Sequence, residues 1–430
     1  MPHERGGGPD RLMSAPSQAG TRARRTLSVR VLATAIVLYP LVAIFSPKAL
    51  VILLIATSLA LLFDGRNRAN PFAVLPRGVL AFLAALAVWA LVTVWWSPLP
   101  LTGLELWGRV VAIGLCGILF IASARRLTAA ERGVLERSLV AAGLLFAVIF
   151  AFELITAGAL SRVAVELWND FTPWQSNPPK ESILLLRASA ALAAIVWPCA
   201  VAIHRRCSVW WAVAFVAVVA VNLLVQNMLA SLVAFIGAIA VFVLAYATPR
   251  IAAVAVVAAL ALLNVLAFAT APAIVDMLRE DATAFDIPGS WKERLSILDF
   301  VAGKAVDNPL FGWGFDASRA IGNQTPGVFP MHMAIPLHPH NLWAQALLEL
   351  GLVGAALLAG LVIASLTHIA AMRANRAAVA AAIAAATTYL LIGNLSYGMW
   401  QNWWLAVAWL NVGFMAMLTS DDVIPRISAD

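Results

Sequence analysis

Long apolar segments constrain this chain more than any other feature. A helix needs roughly 20 apolar residues to cross hydrocarbon, because each residue rises about 1.5 Å and every backbone polar group must be bonded inside the segment. Hydrophobic residues make up 62% of the 430, charged residues only 12%, and the mean hydropathy is +0.88, which excludes a soluble protein. We therefore predict an all-α polytopic membrane protein with about 12 transmembrane helices. The predicted spans are residues 31–46, 48–63, 78–96, 108–124, 138–157, 183–203, 208–225, 229–248, 251–272, 341–367, 376–394 and 398–418.

Basic residues predict the orientation of these spans, because short loops rich in lysine and arginine are retained in the cytoplasm. With a cytoplasmic N-terminus, 19 of the 29 Lys and Arg residues fall on the cytoplasmic side, and both termini lie there. This distribution accounts for the net charge of +7 and the pI near 9.8, so we predict no nucleic-acid partner. The 19 residues are Arg5, Arg11, Arg22, Arg24, Arg25, Arg30, Arg66, Arg68, Arg77, Arg125, Arg126, Arg132, Arg137, Arg205, Arg206, Arg250, Arg373, Arg376 and Arg426.

The domain organisation follows from these spans. The two longest loops lie on the outer face and hold most of the acidic residues, so we predict that they form a small folded cap and that the chemistry takes place there. The predicted segments are a disordered cytoplasmic tail at 1–29, spans one to nine at 30–272 with an outer loop at 158–182, a large outer loop carrying short helices at 273–339, the last three spans at 340–418, and a cytoplasmic tail at 419–430.

Two histidines lie at the start of a span, in the stretch LHPHNLWAQALLELGLVG. Pro339 suits the first position of a helix, so His340 and Asn341 are predicted to lie in the first turn. The unpaired N–H groups and the helix dipole there disfavour a protonated imidazole and favour anions. A neutral His340 is therefore a candidate proton acceptor. The alternative is that His338 and His340 are interfacial side chains that cap the helix.

The same span carries a polar stripe. Asn341, Gln345 and Glu349 recur every four residues and so share one side of a helix, which predicts that this side faces protein or a wet cavity. Gly351, followed by alanines four and eight residues later, predicts close packing of this helix against another one.

Two cations lie where a cation needs an explanation. Arg187 is a little over one turn inside the span at 183–203, where it should be paired, line a cavity or extend to the interface. Arg294 follows a Ser-x-x-Glu pattern at Ser290 and Glu293, which predicts a capping box and a helix from 291 onward that lies on the membrane surface. Arg294 could then project toward a lipid headgroup or simply be solvated. Arg109, at the outer start of the fourth span, is a weaker candidate for the same cation cluster.

No cofactor is predicted. The chain contains no P-loop, no GxGxxG before a helix and no Cys-x-x-Cys pair, and its three cysteines cannot form a disulfide framework for the outer loops. A metal site at His332, His338 and His340 is conceivable, but no carboxylate or cysteine lies at a matching spacing.

At these residues the chain resembles the O-antigen ligase family. His340-Asn341, nine residues and then Gly351-x-x-Gly354 have the spacing of the signature in the ligases' last long outer loop and following span. LLLRASAALAAIVWP is similar to the span that carries an arginine below the outer face, although the family often has Asn before this arginine and Leu186 stands here. WKERLSILDFVAGKAVDNPLFGWGF is similar to the outer-loop arginine segment, which ends in Pro-x-x-Gly-x-Gly.

The resemblance implies a GT-C-like glycosyltransferase in the bacterial inner membrane with a periplasmic active site. It would transfer a polysaccharide from undecaprenyl diphosphate to a sugar hydroxyl of lipid A core, with inversion at the anomeric carbon and without ATP or a metal ion. The implied catalytic residues are His340 as general base and Arg187 and Arg294 at the diphosphate. The implied substrate-binding residues are His338, Asn341 and Arg109, and the structural motif residues are Gly351 and Gly354.

Three other functions remain open at this point. A polysaccharide polymerase of the same superfamily would share the arginines and differ in acceptor. A related oligosaccharide transferase would attach the glycan to a protein serine. A transporter or flippase for lipid-linked glycans would use Arg187 and Glu349 for substrate or protons and would not need the outer helix at 290–304.

Overall fold

The computed structural model describes residues 26–171, 181–281, 287–324 and 334–419. These residues form α-helices and short 3₁₀ turns, and they contain no strand. The helices are α1 (Leu27–Phe45), α2 (Leu50–Leu61), α3 (Arg77–Val94), α4 (Pro100–Arg125), α5 (Ala129–Ile155), α6 (Ala159–Phe171), α7 (Glu181–Arg206), α8 (Val209–Val225), α9 (Leu229–Ala247), α10 (Pro249–Glu280), α11 (Gly289–Asp307), α12 (Ala317–Gln324), α13 (Leu342–Ala370), α14 (Arg376–Leu395) and α15 (Asn402–Thr419).

The membrane-protein prediction is confirmed. Each predicted span coincides with a helix, and within the described ranges nine helices are long and apolar enough to cross a membrane. The segment Pro47–Leu61 and helix α8 are shorter apolar helices. The count of 12 crossings therefore stays a prediction. The predicted tails lie wholly or almost wholly outside the described residues.

Helix α7 lies at the centre of the bundle, between α1, α5, α8, α14 and α15. Its residues 188–194 are serine, leucine and alanine, all of them buried, and such small side chains let neighbouring backbones approach closely. Trp197 on α7 donates from Nε1 to Thr388 Oγ1 at 2.8 Å, which bonds α7 to α14. Arg187 near the start of α7 is therefore held on a rigid element.

Arginines gather at the end of the bundle where α4, α7 and α13 finish and α5 and α14 begin, which we call the arginine-rich end. Arg66 contacts Glu131 at 3.0 Å, and Arg205 and Arg206 share Glu136 at 3.1 and 2.6 Å. These ion pairs join the connection between α2 and α3, and the end of α7, to the start of α5. The opposite end, where α13 begins, carries α11 and α12.

Helix α11 starts differently from the prediction. It begins at Gly289 after Pro288, and no side chain caps it, so the predicted capping box of Ser290 and Glu293 is wrong. The backbone of Pro288 already takes the non-helical conformation of an N-cap, which leaves Ser290 inside the first turn. The apolar face of α11 packs on α10 and α13 through Ile297 and Val301.

Candidate active site

His340 lies in the segment before α13 and is not part of the helix. Asn341 is the N-cap, and its Oδ1 accepts the N–H groups of Trp343 and Ala344 at 2.9 Å each. The prediction that Pro339 opens the helix is therefore wrong, because a side chain with two backbone donors to accept has to stand before the first turn. His340 has φ +56°, in the left-handed region that non-glycine residues seldom adopt.

The contacts of the His340 ring determine which of its two nitrogens carries the proton. Nδ1 lies 2.7 Å from the backbone oxygen of Ser396 in the loop 396–401, which joins α14 to α15. A carbonyl oxygen only accepts, so the Nδ1 of a neutral ring carries the proton and Nε2 keeps its lone pair. Nε2 has no hydrogen-bond partner in the described part of the chain, and the side chain is partly exposed. The ring therefore offers one proton acceptor to the space in front of it.

His338 supports this arrangement and is itself buried. The N–H of His340 donates to Nδ1 of His338 at 3.2 Å, and Nε2 of His338 lies 2.6 Å from the side-chain amide of Gln401. The two rings are 4.3 Å apart. A protonated His338 would direct an N–H at the N–H of His340, so the ring is neutral.

The pKa values of both histidines agree with neutral rings. Burial lowers the pKa of His338 to about 3, and the charges of His340, Arg319, Arg187 and Arg294 act in the same direction. Burial also lowers the pKa of His340 below its usual value, with the hydrogen bond to Ser396 opposing the shift and Arg294 adding to it. At neutral pH His340 is therefore in the form that can accept a proton.

Arg187 and Arg294 lie near these histidines. Tyr397 donates its hydroxyl to the backbone oxygen of Leu186 at 3.1 Å, which brings the start of α7 to the loop 396–401. Burial raises the pKa of Tyr397, and the charges of Arg187 and Arg294 oppose that shift, so both arginines lie close to this phenol. Neither arginine forms an ion pair with any residue that the structure describes.

The guanidinium of Arg294 has an N–H group that no acceptor satisfies. Its NH1 donates to the backbone oxygen of Ser290 at 2.8 Å, while its Nε is buried without a partner. Burial lowers the pKa of Arg294, with Glu293 and Tyr397 opposing the shift. A buried guanidinium N–H without an acceptor costs free energy unless a ligand supplies one. The predicted projection of Arg294 toward an anion is therefore consistent with this geometry.

Two predicted substrate-binding residues are occupied by other contacts. Asn341 caps α13 with its oxygen and donates one N–H of Nδ2 to Asn264 Oδ1 at 3.1 Å, and its role in binding substrate stays a prediction. Arg109 is exposed and pairs with Glu105 at 3.1 Å, one helical turn away, and within the described ranges no hydrogen bond joins it to His338 or His340. Its role in substrate binding stays a prediction.

The polar stripe of α13 is buried in protein, as predicted. Asn341, Gln345 and Glu349 are 7%, 4% and 0% exposed. Glu349 accepts hydrogen bonds from four donors and forms no ion pair in the described ranges. The donors are Asp316 N at 3.2 Å, Ser318 Oγ at 2.5 Å, Gln345 Nε2 at 3.1 Å and Trp400 Nε1 at 2.8 Å. Glu349 thus joins α13 to the segment before α12 and to the loop 396–401.

Replacing Glu349 with glutamine should destabilise the protein by about 2–4 kcal/mol, because the amide nitrogen would face donors and leave them without an acceptor. Denaturant or thermal unfolding of the purified protein in detergent measures this change. Glu280→Gln, at the exposed end of α10, is the matched control and should leave stability within about 0.5 kcal/mol. Equal stability of the two variants would contradict the bonding role of Glu349.

Helix α13 is broken at Gly351. This residue has φ +66° and ψ −167°, and the segment 309–314 fills the break with backbone hydrogen bonds. Trp313 N and Gly314 N donate to the oxygens of residues 348 and 349 at 2.9 Å each. The N–H groups of residues 352 and 353 donate to the oxygens of Pro309 and Leu310 at 2.8 and 3.2 Å. The prediction that Gly351 serves helix-to-helix packing is therefore wrong, since it contacts the backbone of this loop.

Glycines make this contact possible. A Cβ on Gly351 would lie 2.3 Å from the oxygen of Leu310, and one on Gly312 would lie 2.5 Å from the nitrogen of Gly351. Gly354 leaves space for the side chain of Leu350, which a Cβ would meet at 2.1 Å. The Gly-x-x-Gly and Pro-x-x-Gly-x-Gly motifs are thus two halves of one packing unit.

Sequence reasoning missed the loop 396–401, which supplies the partners of both histidines. Ser396, Tyr397 and Gln401 contact the site, and the oxygen Oγ of Ser396 is buried without a partner. The signal was the run of polar residues between two apolar helices in NLSYGMWQNWW. Of the metal alternative, His332 lies outside the described residues, and among those described no three His, Cys, Asp or Glu side chains form a group that could hold a metal ion.

Fold and site together define a polytopic helical membrane protein. At one end of its bundle lie a neutral histidine pair and two arginines that form no ion pair within the described part of the chain. Residues 214–359 match the family model described as O-antigen ligase. The match includes Arg294, both histidines and both motif glycines, and it leaves out Arg187 and Arg109.

Curated relatives agree with this match. The chain is 36% identical over 137 residues to proteins of Rickettsia prowazekii (strain Madrid E) and Rickettsia typhi (strain ATCC VR-144 / Wilmington), and 33% identical over 135 residues to one of Rickettsia conorii (strain ATCC VR-613 / Malish 7). All three are named, provisionally, as polysaccharide ligases. The aligned region covers 30% of this chain and spans 33% of the length of each relative.

Proposed function

We propose that this protein is an O-antigen ligase, which transfers a polysaccharide from undecaprenyl diphosphate to a sugar hydroxyl of lipid A core. The observation that carries the proposal is the free Nε2 of His340, held by the Ser396 contact near two arginines that have no carboxylate partner among the described residues. A base beside cations suits a reaction in which a hydroxyl loses a proton while a diphosphate leaves. The O-antigen ligase match over this region supports the same reaction class.

The proposed reaction is a single displacement. The acceptor oxygen forms a bond to the anomeric carbon as the bond from that carbon to the diphosphate oxygen breaks. His340 Nε2 takes the hydroxyl proton, and undecaprenyl diphosphate leaves with the electron pair of the broken bond. One displacement gives inversion at the anomeric carbon.

Arg187 and Arg294 are proposed to bind the diphosphate and to stabilise the charge that develops on the leaving oxygen. Guanidinium groups match phosphate oxygens with two parallel N–H bonds, and such help contributes several kcal/mol in a site that excludes water. The sugar–diphosphate bond supplies the driving force, so ATP is not required. The buried, unpartnered Nε of Arg294 is the donor that a phosphate oxygen would satisfy.

The arginine-rich end is proposed to face the cytoplasm, which puts the histidines and α11 on the periplasmic side of the bacterial inner membrane. Donor and acceptor are both lipids, and a site at the membrane surface is open to both. Glu349 is bound by four structural donors and α11 is present, two features that do not favour the transporter alternative.

Deletion and reconstitution test the proposal. Without the protein, the host should lose the long-chain lipopolysaccharide ladder and accumulate undecaprenyl-linked polymer, and wild-type protein should restore the ladder. Purified protein should join a lipid-diphosphate glycan to lipid A core without ATP. A ladder that survives deletion, with altered chain length of another glycan, would instead indicate a polymerase.

Changing Arg294 to glutamine should lower kcat/KM for the lipid-diphosphate donor by about 10- to 100-fold, because a charged hydrogen bond to the diphosphate is lost. Initial rates in the purified system measure this loss. Arg162→Gln provides the control, since Arg162 is exposed and, among the described residues, donates only to the backbone oxygens of Thr156 and Ala157, just before α6. Full donor kinetics in Arg294→Gln would remove Arg294 from the diphosphate site.

A further inference from the structure

Helix α12 carries a third arginine beside the histidine pair. Arg319 lies in the first turn of α12, and its side chain is 44% exposed. One turn further on, Gly322 packs against the backbone of Ile335, since an added Cβ would lie 2.2 Å from that residue's oxygen. Residues three positions apart share one side of a helix, so Arg319 lies on the side of α12 that faces the segment leading to His338.

The start of α12 is held against the loop between α14 and α15. Ser318 and Asp316 donate to the carboxylate of Glu349 at 2.5 and 3.2 Å. Trp400 in the loop donates to the same carboxylate at 2.8 Å, and its ring lies 4.8 Å from the ring of Phe315. Because this loop also contacts both histidines, α12 has a fixed position beside them.

The charge of Arg319 acts on groups of this site. Burial lowers the pKa of His338, and the charge of Arg319 adds to this shift. Burial raises the pKa of Asp316, and the charges of Arg319 and Arg109 oppose that shift. Arg319 thus lies near the buried histidine as well as near its own ion-pair partner, Asp316.

The cations beside the histidines form two groups. Burial raises the pKa of Tyr397, and the charges that oppose this shift are those of Arg187 and Arg294. These two arginines form the first group, and Arg319 near Asp316 belongs to the second. In a single displacement the attacking and leaving oxygens lie on opposite faces of the sugar ring. A cation outside the group at the diphosphate is therefore suited to the acceptor.

We propose that Arg319 binds an anionic group, a phosphate or a carboxylate, on the acceptor glycolipid, and so selects acceptors that carry this charge near the accepting hydroxyl. The inference rests on the proposed ligase function and adds a determinant of acceptor choice to it. A guanidinium binds either kind of anion with two parallel N–H bonds. The contact with Asp316, at 3.6 Å, is longer than a hydrogen bond and leaves these donors able to bind a ligand.

Transfer kinetics of the full-length purified protein in detergent test this role. The acceptors are lipid A core as isolated from the host, the same material after enzymatic removal of its phosphates, and the same material after conversion of its carboxylates to neutral amides. Arg319→Gln should raise KM for the untreated acceptor by about tenfold and leave KM for the donor unchanged, because one charged hydrogen bond is lost. One of the two treated acceptors should raise the wild-type KM by a similar factor, and Arg319→Gln should then add no further loss.

Arg279→Gln is the matched control. Arg279 is exposed in the last turn of α10 and pairs with an aspartate three residues before it, as Arg319 does. It should leave both KM values at those of the wild type. Arg319→Lys keeps the charge but loses the parallel N–H bonds, so it should raise the acceptor KM by a smaller factor. This variant carries the test if Arg319→Gln does not fold.

The outcomes separate this role from the ligase function itself. A raised donor KM in Arg319→Gln would place Arg319 at the diphosphate and overturn the proposal, as would a loss that persists with both treated acceptors. Normal wild-type transfer together with an unaltered acceptor KM in Arg319→Gln would refute only the role of Arg319. If the wild-type protein transfers no glycan to any of the three acceptors, the ligase function fails and the acceptor site fails with it.

Discussion

Replacing His340 with glutamine should lower the rate of glycan transfer by about 10²- to 10⁴-fold, the usual contribution of a positioned general base. Glutamine can still reach the oxygen of Ser396 through its amide N–H, but its side chain has no group that accepts a proton at neutral pH. Initial rates with saturating donor and acceptor measure the effect. The matched control is His368→Gln, at the last turn of α13 on the arginine-rich end, which should keep wild-type rates.

The pH dependence separates a base from a positioning group. Because burial lowers the pKa of His340, the acidic limb of the wild-type pH–rate profile should lie at a lower pH than an ordinary histidine would give. His340→Gln should have a low rate without this acidic limb. If the variant keeps the acidic limb, the titrating base is another residue and His340 only positions substrate.

Replacing Gly351 with alanine should destabilise the protein by roughly 2–6 kcal/mol, from backbone strain and overpacking together. Alanine disfavours φ +66°, and its Cβ would lie 2.3 Å from the oxygen of Leu310. The backbone has no flexible end that could move aside. We expect the loop 309–314 to detach from α13, which lowers the unfolding temperature and the transfer rate together.

Gly303→Ala is the control for this substitution. Gly303 lies inside α11, has no heavy atom within 4 Å of an added Cβ, and should gain up to about 1 kcal/mol because alanine favours a helix. Unfolding curves in detergent compare the two variants directly. If Gly351→Ala unfolds at the same temperature as the wild-type protein, the break in α13 does not depend on glycine.

The sequence was enough for the parts of the fold that depend on local composition. Apolar runs predicted the helices, and a polar residue at every fourth position predicted the buried stripe of Gln345 and Glu349. Both signals depend only on the residues of a single segment: the length needed to cross hydrocarbon and the period of the helix. The resemblance then singled out His340 and Arg294, which the structure brings to the same end of the bundle.

The errors came from contacts between distant segments. Gly351 reads as a packing glycine in its own helix, and only the backbone of residues 309–314, 37 or more positions earlier, explains its left-handed φ. The tautomer of His340 depends on a carbonyl at Ser396, and a backbone oxygen has no sequence signature. The start of α13 was misplaced because the capping bonds of Asn341 override the preference of Pro339 for a first turn.

The broken α13 also limits how this protein can be recombined with a relative. The segment 309–314 supplies hydrogen bonds that α13 cannot make for itself at its break, so the two segments depend on each other to fold. A chimera that exchanges the segment 309–314 without α13, or α13 without this segment, would combine a loop and a helix whose backbones do not fit each other. Changes of glycan specificity by segment exchange should therefore move residues 308–354 as one block.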